Sequence, residues 1–526
     1  MVKEILLRRA DFMMVLAYAT DLATGQSRDF ALRSCVLAMR LANRMGLADS
    51  EMREVFHQAI LRYVGCNADT HLLAAAFGDE IAMRQDLALA DLGSQTELGS
   101  IFVKAFTRVF EGMPPEDLRR AVQEGLASAI QVSVPILSGH CEVAQWIGQR
   151  IGLGEDGLRN LGQLYERWDG HGLPHGLAGD QVRLPVRIVT LAQDAIALLE
   201  AHGPATMIEA ITRRRGGAYE EALADIFLSD AAGLTAGIDG LVGRETILAL
   251  EPLPHAYLDE ADCEEAWIAI ADMIDMRMPF TFGHSRAVAA LGEAAGRCIG
   301  LPLADLRAIR WAAYVHDIGE LAVPVSTWLK AAPFSVWETD AAQLHPYHGE
   351  RALAALGAEG QPVASLVLRH HERLDGTGYH RYAKAADLSP AARILAAAEA
   401  YQTAREARPH RPASSAEAVA ARMRSLVRAG KLCPDATEAV LTAAGQASRR
   451  AAAASTPAGL TAREMEVLGL IAAGHTAKEA ARVLKISPKT ADNHIQNLYG
   501  KIGVSTRAGA ALFALERGLV HQNLAA

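Results

Sequence analysis

The feature that most constrains this 526-residue chain is an internal echo. Glu166–Gly172 reads ERWDGHG and Glu372–Gly378 reads ERLDGTG, identical at five of seven positions. An Arg-Ile pair follows each at the same offset, Arg187-Ile188 and Arg393-Ile394, and a histidine precedes each at nearly equal distance, His140 and His345. Three features aligned in one register indicate duplication, so residues of about 1–250 and 262–442 are expected to be two copies of one domain. Length alone demands some such division, because a single hydrophobic core stops growing beyond about 250–300 residues.

Ala, Leu and Arg abound while aromatics make up only 6% of the chain, which favours helices over strands. The stretch Gly445–Gly459, GQASRRAAAASTPAG, has no apolar period and predicts a linker. A softer boundary falls at EPLPHAYLDE, Glu251–Glu260, where two prolines separate helical patterns. The expected organisation is therefore all-helical and in four parts: 1–250, 262–442, a linker over 443–458, and 459–526.

Several classes of function are excluded at this stage. A net charge of -9 argues against coating nucleic acid along the whole length, so any DNA contact must be local. Six cysteines are scattered without a C-x-x-C pair, which speaks against a zinc ribbon or a disulfide framework and for reduced thiols. Arg8, Arg9 and Asp11 interrupt the apolar stretch near residue 1 well short of a spanning length, so a cytoplasmic protein without a signal peptide or membrane contact is expected.

In the second block, histidines and acids recur at the ends of segments with helical apolar spacing: His284, His316-Asp317, His345, His370-His371 and Glu399. Leu306, Ile309, Ala313 and Val315 lead into the His-Asp pair, and Gly319 is placed to stop that helix. Imidazoles and carboxylates projected inward from several helices are how helical bundles build metal centres. A carboxylate beside an imidazole can bridge two ions while the imidazole binds one, which is the equipment of a two-metal phosphoesterase.

The series His, His-Asp, His, His-His-Glu with DGTGY, then an acid beside Arg-Ile, resembles the HD-GYP subgroup of the HD phosphohydrolases over roughly residues 272–413. The resemblance implies a helical domain that hydrolyses a phosphodiester, often cyclic di-GMP, with two divalent transition-metal ions such as iron or manganese. It assigns His284, His316, Asp317 and Glu399 to one metal and Asp317, His345, His370 and His371 to the second, with His316 and Asp317 as the catalytic pair. Three positions depart from the family pattern. Glu320 replaces a lysine expected to meet substrate phosphate, Glu399 replaces an aspartate, and Gly378-Tyr379-His380 replaces Gly-Tyr-Pro. The first copy resembles the same family over about 20–200 but has Phe30, Arg62-Tyr63, Leu164-Tyr165 and Gln193 at the ligand positions, leaving only His140. One imidazole cannot hold a metal centre, so this copy is expected to be a pseudo-domain kept for dimerisation, regulation or ligand sensing.

At the other end, Thr461 with Glu464 forms a capping-box pattern, Val467, Leu468, Leu470 and Ile471 supply a buried face, and Gly474 ends that helix. Thr476 caps a short helix and Ser487-Pro488 starts a third, the layout of a helix-turn-helix. Residues 459–526 resemble the four-helix LuxR-type DNA-binding domain, with SPKTADNH matching its recognition helix. The resemblance places Lys489, Thr490, Asn493 and His494 toward the groove of duplex DNA and makes Lys501 and Arg507 further phosphate contacts, in a protein expected to act as a homodimer. Two readings follow. One is a transcriptional regulator whose HD module hydrolyses a phosphodiester, with cyclic di-GMP the first candidate; the other is a non-catalytic, ligand-sensing transcription factor that uses the HD fold as a scaffold.

Overall fold

The computed structural model describes residues 7–68, 70–240, 242–446, 460–516 and 519, and it divides into two compact units, Met1–Ala266 and Trp267–Ala526. It is helical apart from one two-stranded antiparallel sheet, in which Leu7 pairs with Leu258 and Arg8 with Tyr257. Among the described residues no helix is long and apolar enough to cross a membrane.

The first unit is built around the helix Arg9–Thr24. It is buried on nearly every side, as expected of a helix whose side chains are apolar all round. Phe30–Arg44 and Asp49–Leu61 pack on it with Leu184–Arg214, which kinks where Gly203 adopts φ 81° ahead of Pro204. Between Asp49–Leu61 and the segment carrying His140, three helices, Thr70–Phe77, Glu80–Leu89 and Gln95–Val109, form a small cluster of their own around Phe77, Met83 and Phe106. The long helix Pro115–Arg150 follows and carries His140 near its end.

Tyr257–Leu258 pairs with the first strand, and the helix Glu260–Asp275 follows it. In the second unit, His284–Cys298 packs against Leu303–Val315, Pro390–Arg405 and Pro434–Gln446, while His345–Leu353 packs against Gly357–Val367 and the short 3-10 turn Ile318–Ala322. Beyond Gln446, the sequence-predicted linker lies outside the described residues.

The last four helices are Ala462–Ala472, Ala477–Val483, Pro488–Ile502 and Arg507–Glu516, around a core that includes Val467, Leu468, Ile471, Ile495, Leu498 and Ala510. Their starts follow from local chemistry: Thr461 and Thr476 each complete a capping box, with Glu464 and Glu479, and Ser487 accepts from the Thr490 amide ahead of Pro488.

Candidate functional site

In the second unit, the ligand-type side chains are delivered by five helices, most of them at a helix end. His284 opens its helix after Gly283, which takes a left-handed turn at φ 77°, and Asp275 fixes that start by accepting from the amide (2.9 Å) and hydroxyl (2.7 Å) of Ser285. His316 and Asp317 follow Leu303–Val315, His345 opens the helix His345–Leu353, and His370 and His371 follow Gly357–Val367. Glu399 lies within Pro390–Arg405. Gly319 is required for a reason other than stopping a helix. A Cβ there would stand 1.9 Å from the His345 carbonyl oxygen, so glycine lets the His-Asp turn lie directly on the backbone of the next histidine.

Two groups of ligand atoms form, one of His284, His316 and Asp317, the other of Asp317, His345, His370 and His371. Glu399 joins the first through Oε2, 3.0 Å from Nε2 of His284 and 3.2 Å from Nε2 of His316. Asp317 stands between the groups: Oδ2 is 3.2 Å from His316, and Oδ1 is 3.6 Å from both His345 and His370. All the sequence-predicted ligands therefore converge on one centre.

The outer contacts set the tautomers. Nδ1 of His316, His345 and His370 lies 2.8, 2.6 and 2.6 Å from the carbonyls of Ala313, Ala342 and Val367, so each of these rings donates outward and turns an Nε2 lone pair inward. His284 Nδ1 meets Glu406 at 2.8 Å, and Glu406 is paired in turn with Arg408 at 3.0 Å. The inward nitrogens face each other at 3.3 Å between His284 and His316 and at 3.0 Å between His345 and His370. Facing lone pairs repel unless a cation lies between them. Asp317 Oδ1 and Glu399 Oε2 are buried in the same space without a hydrogen bond. Such a donor set, with imidazole and carboxylate together, fits divalent transition metals.

The charges answer one another. Burial opposes charging of His316, but Asp317 and Glu399 override it and raise its pKa to about 10. His284 is likewise raised against burial by Glu399 and Glu406. Asp317 and Glu399 are held well below the usual carboxylate range, against burial, by the surrounding imidazoles. On the other side, burial and the neighbouring His370 push His345 down to about 3, and His371 is lowered for the same two reasons. Glu320 lies outside both ligand groups; burial, reinforced by the Asp317 charge, raises its pKa well above the usual value.

Sequence reasoning passed over three residues of this site. Glu406 orients His284 from 122 positions away, Asp275 anchors the start of the His284 helix, and Tyr379 stacks on His371 at 4.7 Å. Only Tyr379 lay within a motif; the other two are ordinary acids at helix ends.

The first unit repeats the frame without the ligands. Asp29 takes the left-handed turn (φ 64°) before Phe30, and Asp21 accepts from the Ala31 amide, as Asp275 does from Ser285. A Cβ on Gly65 would stand 1.9 Å from the His140 carbonyl oxygen, the same contact that Gly319 makes with His345. Glu166 accepts from the amides of His175 and Leu177 just as Glu372 accepts from Arg381 and Ala383, which explains the glutamate of the echoed motif. At the centre, the Tyr165 hydroxyl sits 2.9 Å from both His140 Nδ1 and Cys66 Sγ.

In the C-terminal domain, Lys489, Thr490 and Asn493 are exposed on Pro488–Ile502, and His494 is partly so. Lys501 donates to Glu464 at 2.7 Å, which ties the helix to the first capping box. Arg507 opens the last helix.

The comparisons with known proteins agree with this geometry. Residues 269–432 match the family described as "HD domain", and residues 458–514 match "Bacterial regulatory proteins, luxR family". The chain is 24% identical to "3'3'-cGAMP-specific phosphodiesterase 3" of Vibrio cholerae over 77% of its own length and 88% of that protein. The last domain is 48% identical over 61 residues to "Transcriptional regulatory protein MctR" of Rhizobium johnstonii, a match covering 12% of this chain and 28% of that one. A crystal structure of a cyclic GMP-AMP specific phosphodiesterase of V. cholerae has the same fold, with a TM-score of 0.57 at 20% identity, over 84% of this chain and 98% of that one. The chain thus joins an HD domain of the HD-GYP type to a C-terminal LuxR-type regulatory domain.

Proposed function

We propose that the second unit holds two divalent ions, iron or manganese by the character of its donors, and hydrolyses a cyclic dinucleotide, while the last domain binds duplex DNA. The observation that carries this reading is the convergence of inward imidazole lone pairs on two unbonded carboxylate oxygens. His284, His316, Asp317 and Glu399 would hold one ion and Asp317, His345, His370 and His371 the other, with Asp317 shared. Bound divalent ions supply an activated water at neutral pH and neutralise charge on the phosphoryl oxygens. The chain's own part is orientation: backbone carbonyls hold three rings in one tautomer, and Glu406 holds the fourth.

The relatives' names support a cyclic dinucleotide as substrate. Coupling to DNA is supported by Phe282, two residues ahead of His284, which packs against the core of the C-terminal domain. Small helix-turn-helix domains bind as dimers to two half-sites, so we assign a homodimer. Free cysteines and a DNA target fit the cytoplasm. Glu320 favours a second reading, a non-catalytic sensor, because it replaces the lysine that the family resemblance assigns to substrate phosphate.

The test uses the full chain purified without chelator. About two ions per chain, as a two-metal site requires, with hydrolysis of 3'3'-cGAMP or cyclic di-GMP, supports the enzyme. A metal-loaded protein that binds a dinucleotide and shifts its DNA affinity without cleaving it would leave the sensor. Lys489→Ala should weaken DNA binding and flatten its salt dependence by about one unit if it neutralises one phosphate. An unchanged slope removes Lys489 from the phosphate contacts.

A further inference from the structure

The first unit has a cavity of about 390 Å³ at the position where the second unit has its metal ligands. Arg62, Tyr63, His140 and Tyr165 line it, and these are the counterparts of His316, Asp317, His345 and His371. The rest of the wall comes largely from the helices between Gly65 and His140, where the second copy has a much shorter connection. Leu73, Met83, Leu87 and Phe102 from those helices, with Leu137 from Pro115–Arg150, make it mostly apolar. The cavity reaches the surface beside Leu92 and His171, both exposed. Its volume lies in the range of small-ligand pockets, about 300–1,000 Å³.

Its polar groups are unevenly matched. Arg62 is only 6% exposed, yet its Nε and Nη1 have no hydrogen-bond partner, and its guanidinium lies over the Tyr63 ring, 5.4 Å from the centroid. Arg84 bonds to the Ala23 carbonyl and Thr70 hydroxyl but to no carboxylate. The acids on the wall make their hydrogen bonds elsewhere, although Arg62 is the charge that acts most strongly on Asp194. Asp194 accepts from the Tyr219 hydroxyl at 2.7 Å and faces Arg214 at 3.6 Å, and Glu166 holds two loop amides. Arg167, the other guanidinium, is paired with Asp91 and Asp169. A buried guanidinium without an acceptor is costly, and a forked anion satisfies it best.

We propose that this cavity binds an apolar small molecule bearing a single carboxylate, with the carboxylate on Arg62 and the hydrocarbon body among Leu73, Met83, Leu87 and Phe102. A cyclic dinucleotide fits poorly: it carries two phosphates and two polar bases, and the wall offers few hydrogen-bonding groups not already used. The loss of the metal ligands and the added helices then belong to one change, from an ion site to a lipid-like carboxylate site.

Dodecanoate, kept below its micelle concentration, is the probe, measured by calorimetry on the full chain. One molecule should bind per chain, dodecan-1-ol should bind at least tenfold more weakly, and dodecyltrimethylammonium not at all. Arg62→Met should erase the preference for the carboxylate over the alcohol while the metal content of the second unit stays unchanged. Leu87→Trp, which fills the cavity, should abolish binding. Equal affinity for the acid and the alcohol would overturn the proposal, as would no binding, or binding that survives Leu87→Trp. Stoichiometric displacement of dodecanoate by cyclic di-GMP would reassign the cavity to a nucleotide. The headgroup comparison on the unaltered protein decides the matter if Arg62→Met fails to fold.

Discussion

The two halves of this chain share a frame and differ at its centre, and what each keeps separates folding from chemistry. Both keep a glycine whose Cβ would collide with a histidine carbonyl, Gly65 and Gly319, and both keep a glutamate that gathers two loop amides, Glu166 and Glu372. Backbone geometry demands these residues whether or not a metal is held. The ligand positions are different: Phe30, Arg62, Leu164 and Gln193 fill the places of His284, His316, His370 and Glu399 without disturbing the helices around them. A metal centre is thus an occupant of this frame and not one of its supports.

The largest test of that contrast is Asp317→Ala. Asp317 faces both ligand groups, so its loss should remove all bound metal from the full chain and reduce diester hydrolysis to background. Tyr63→Ala, at the matching position of the first unit, should leave metal content as it was. Stoichiometric metal remaining in the Asp317→Ala protein would place an ion in the first unit and break the comparison.

The shared frame predicts equal sensitivity where chemistry predicts none. Gly65→Ala and Gly319→Ala each force a methyl against a backbone carbonyl that cannot rotate away, and each should cost about 3 kcal/mol or more in its own unit. Thermal unfolding with and without chelator separates the two transitions, because only the metal-holding unit should respond to metal removal. A tolerated Gly65→Ala would mean that the first unit no longer depends on this junction.

A smaller difference concerns acid. His57 in the first unit is buried, and burial, with Arg9 and Arg53 nearby, pushes its pKa down to about 3. The unfolded chain binds a proton near pH 6.5 that the folded chain refuses, so this stability is complete above about pH 6.5 and is lost as pH falls toward 3. Between about pH 7 and about pH 5 the chelator-insensitive transition should weaken by at most about 2 kcal/mol. His57→Leu should flatten that slope. In the second unit, acid acts instead by protonating imidazoles that would otherwise hold metal, so its loss should follow metal release.

Legibility in the sequence followed the range of the interactions. The C-terminal domain was readable to the residue because Thr461 with Glu464, Thr476 with Glu479, and Ser487 with Thr490 act within one helical turn. The side chains that converge in the second unit were readable because histidines and acids in helical segments form an unusual series. Glu406 and Asp275 were not, since an ordinary acid at a helix end becomes an anchor only when a distant element is folded against it. The prolines near Glu251 mark a boundary and the division between the units falls nearby, after Ala266, whereas the pairing of Tyr257–Leu258 with Leu7–Arg8 leaves no local mark in the sequence. The cavity of the first unit was equally hidden, because its wall is assembled from helices that show only ordinary apolar spacing.

The last comparison is between Glu320 and Cys66, which follow Gly319 and Gly65 at the same offset. Cys66 packs inward and meets the Tyr165 hydroxyl, a contact that helps close the metal-free centre. Glu320 makes no such contact and lies beside Asp317, where burial and that neighbouring charge favour its neutral form. As a neutral acid outside both ligand groups, it offers an anionic diester neither a charge repulsion nor the attraction of a lysine. Glu320→Lys adds that attraction, so turnover or substrate affinity should rise several-fold, corresponding to about 1 kcal/mol for a partly screened contact. Glu320→Gln, which matches the neutral acid in size and charge, should leave both nearly unchanged. If both substitutions instead lower metal content together with activity, Glu320 is a ligand, and the second unit differs from the first by one more coordinating carboxylate than the two ligand groups contain.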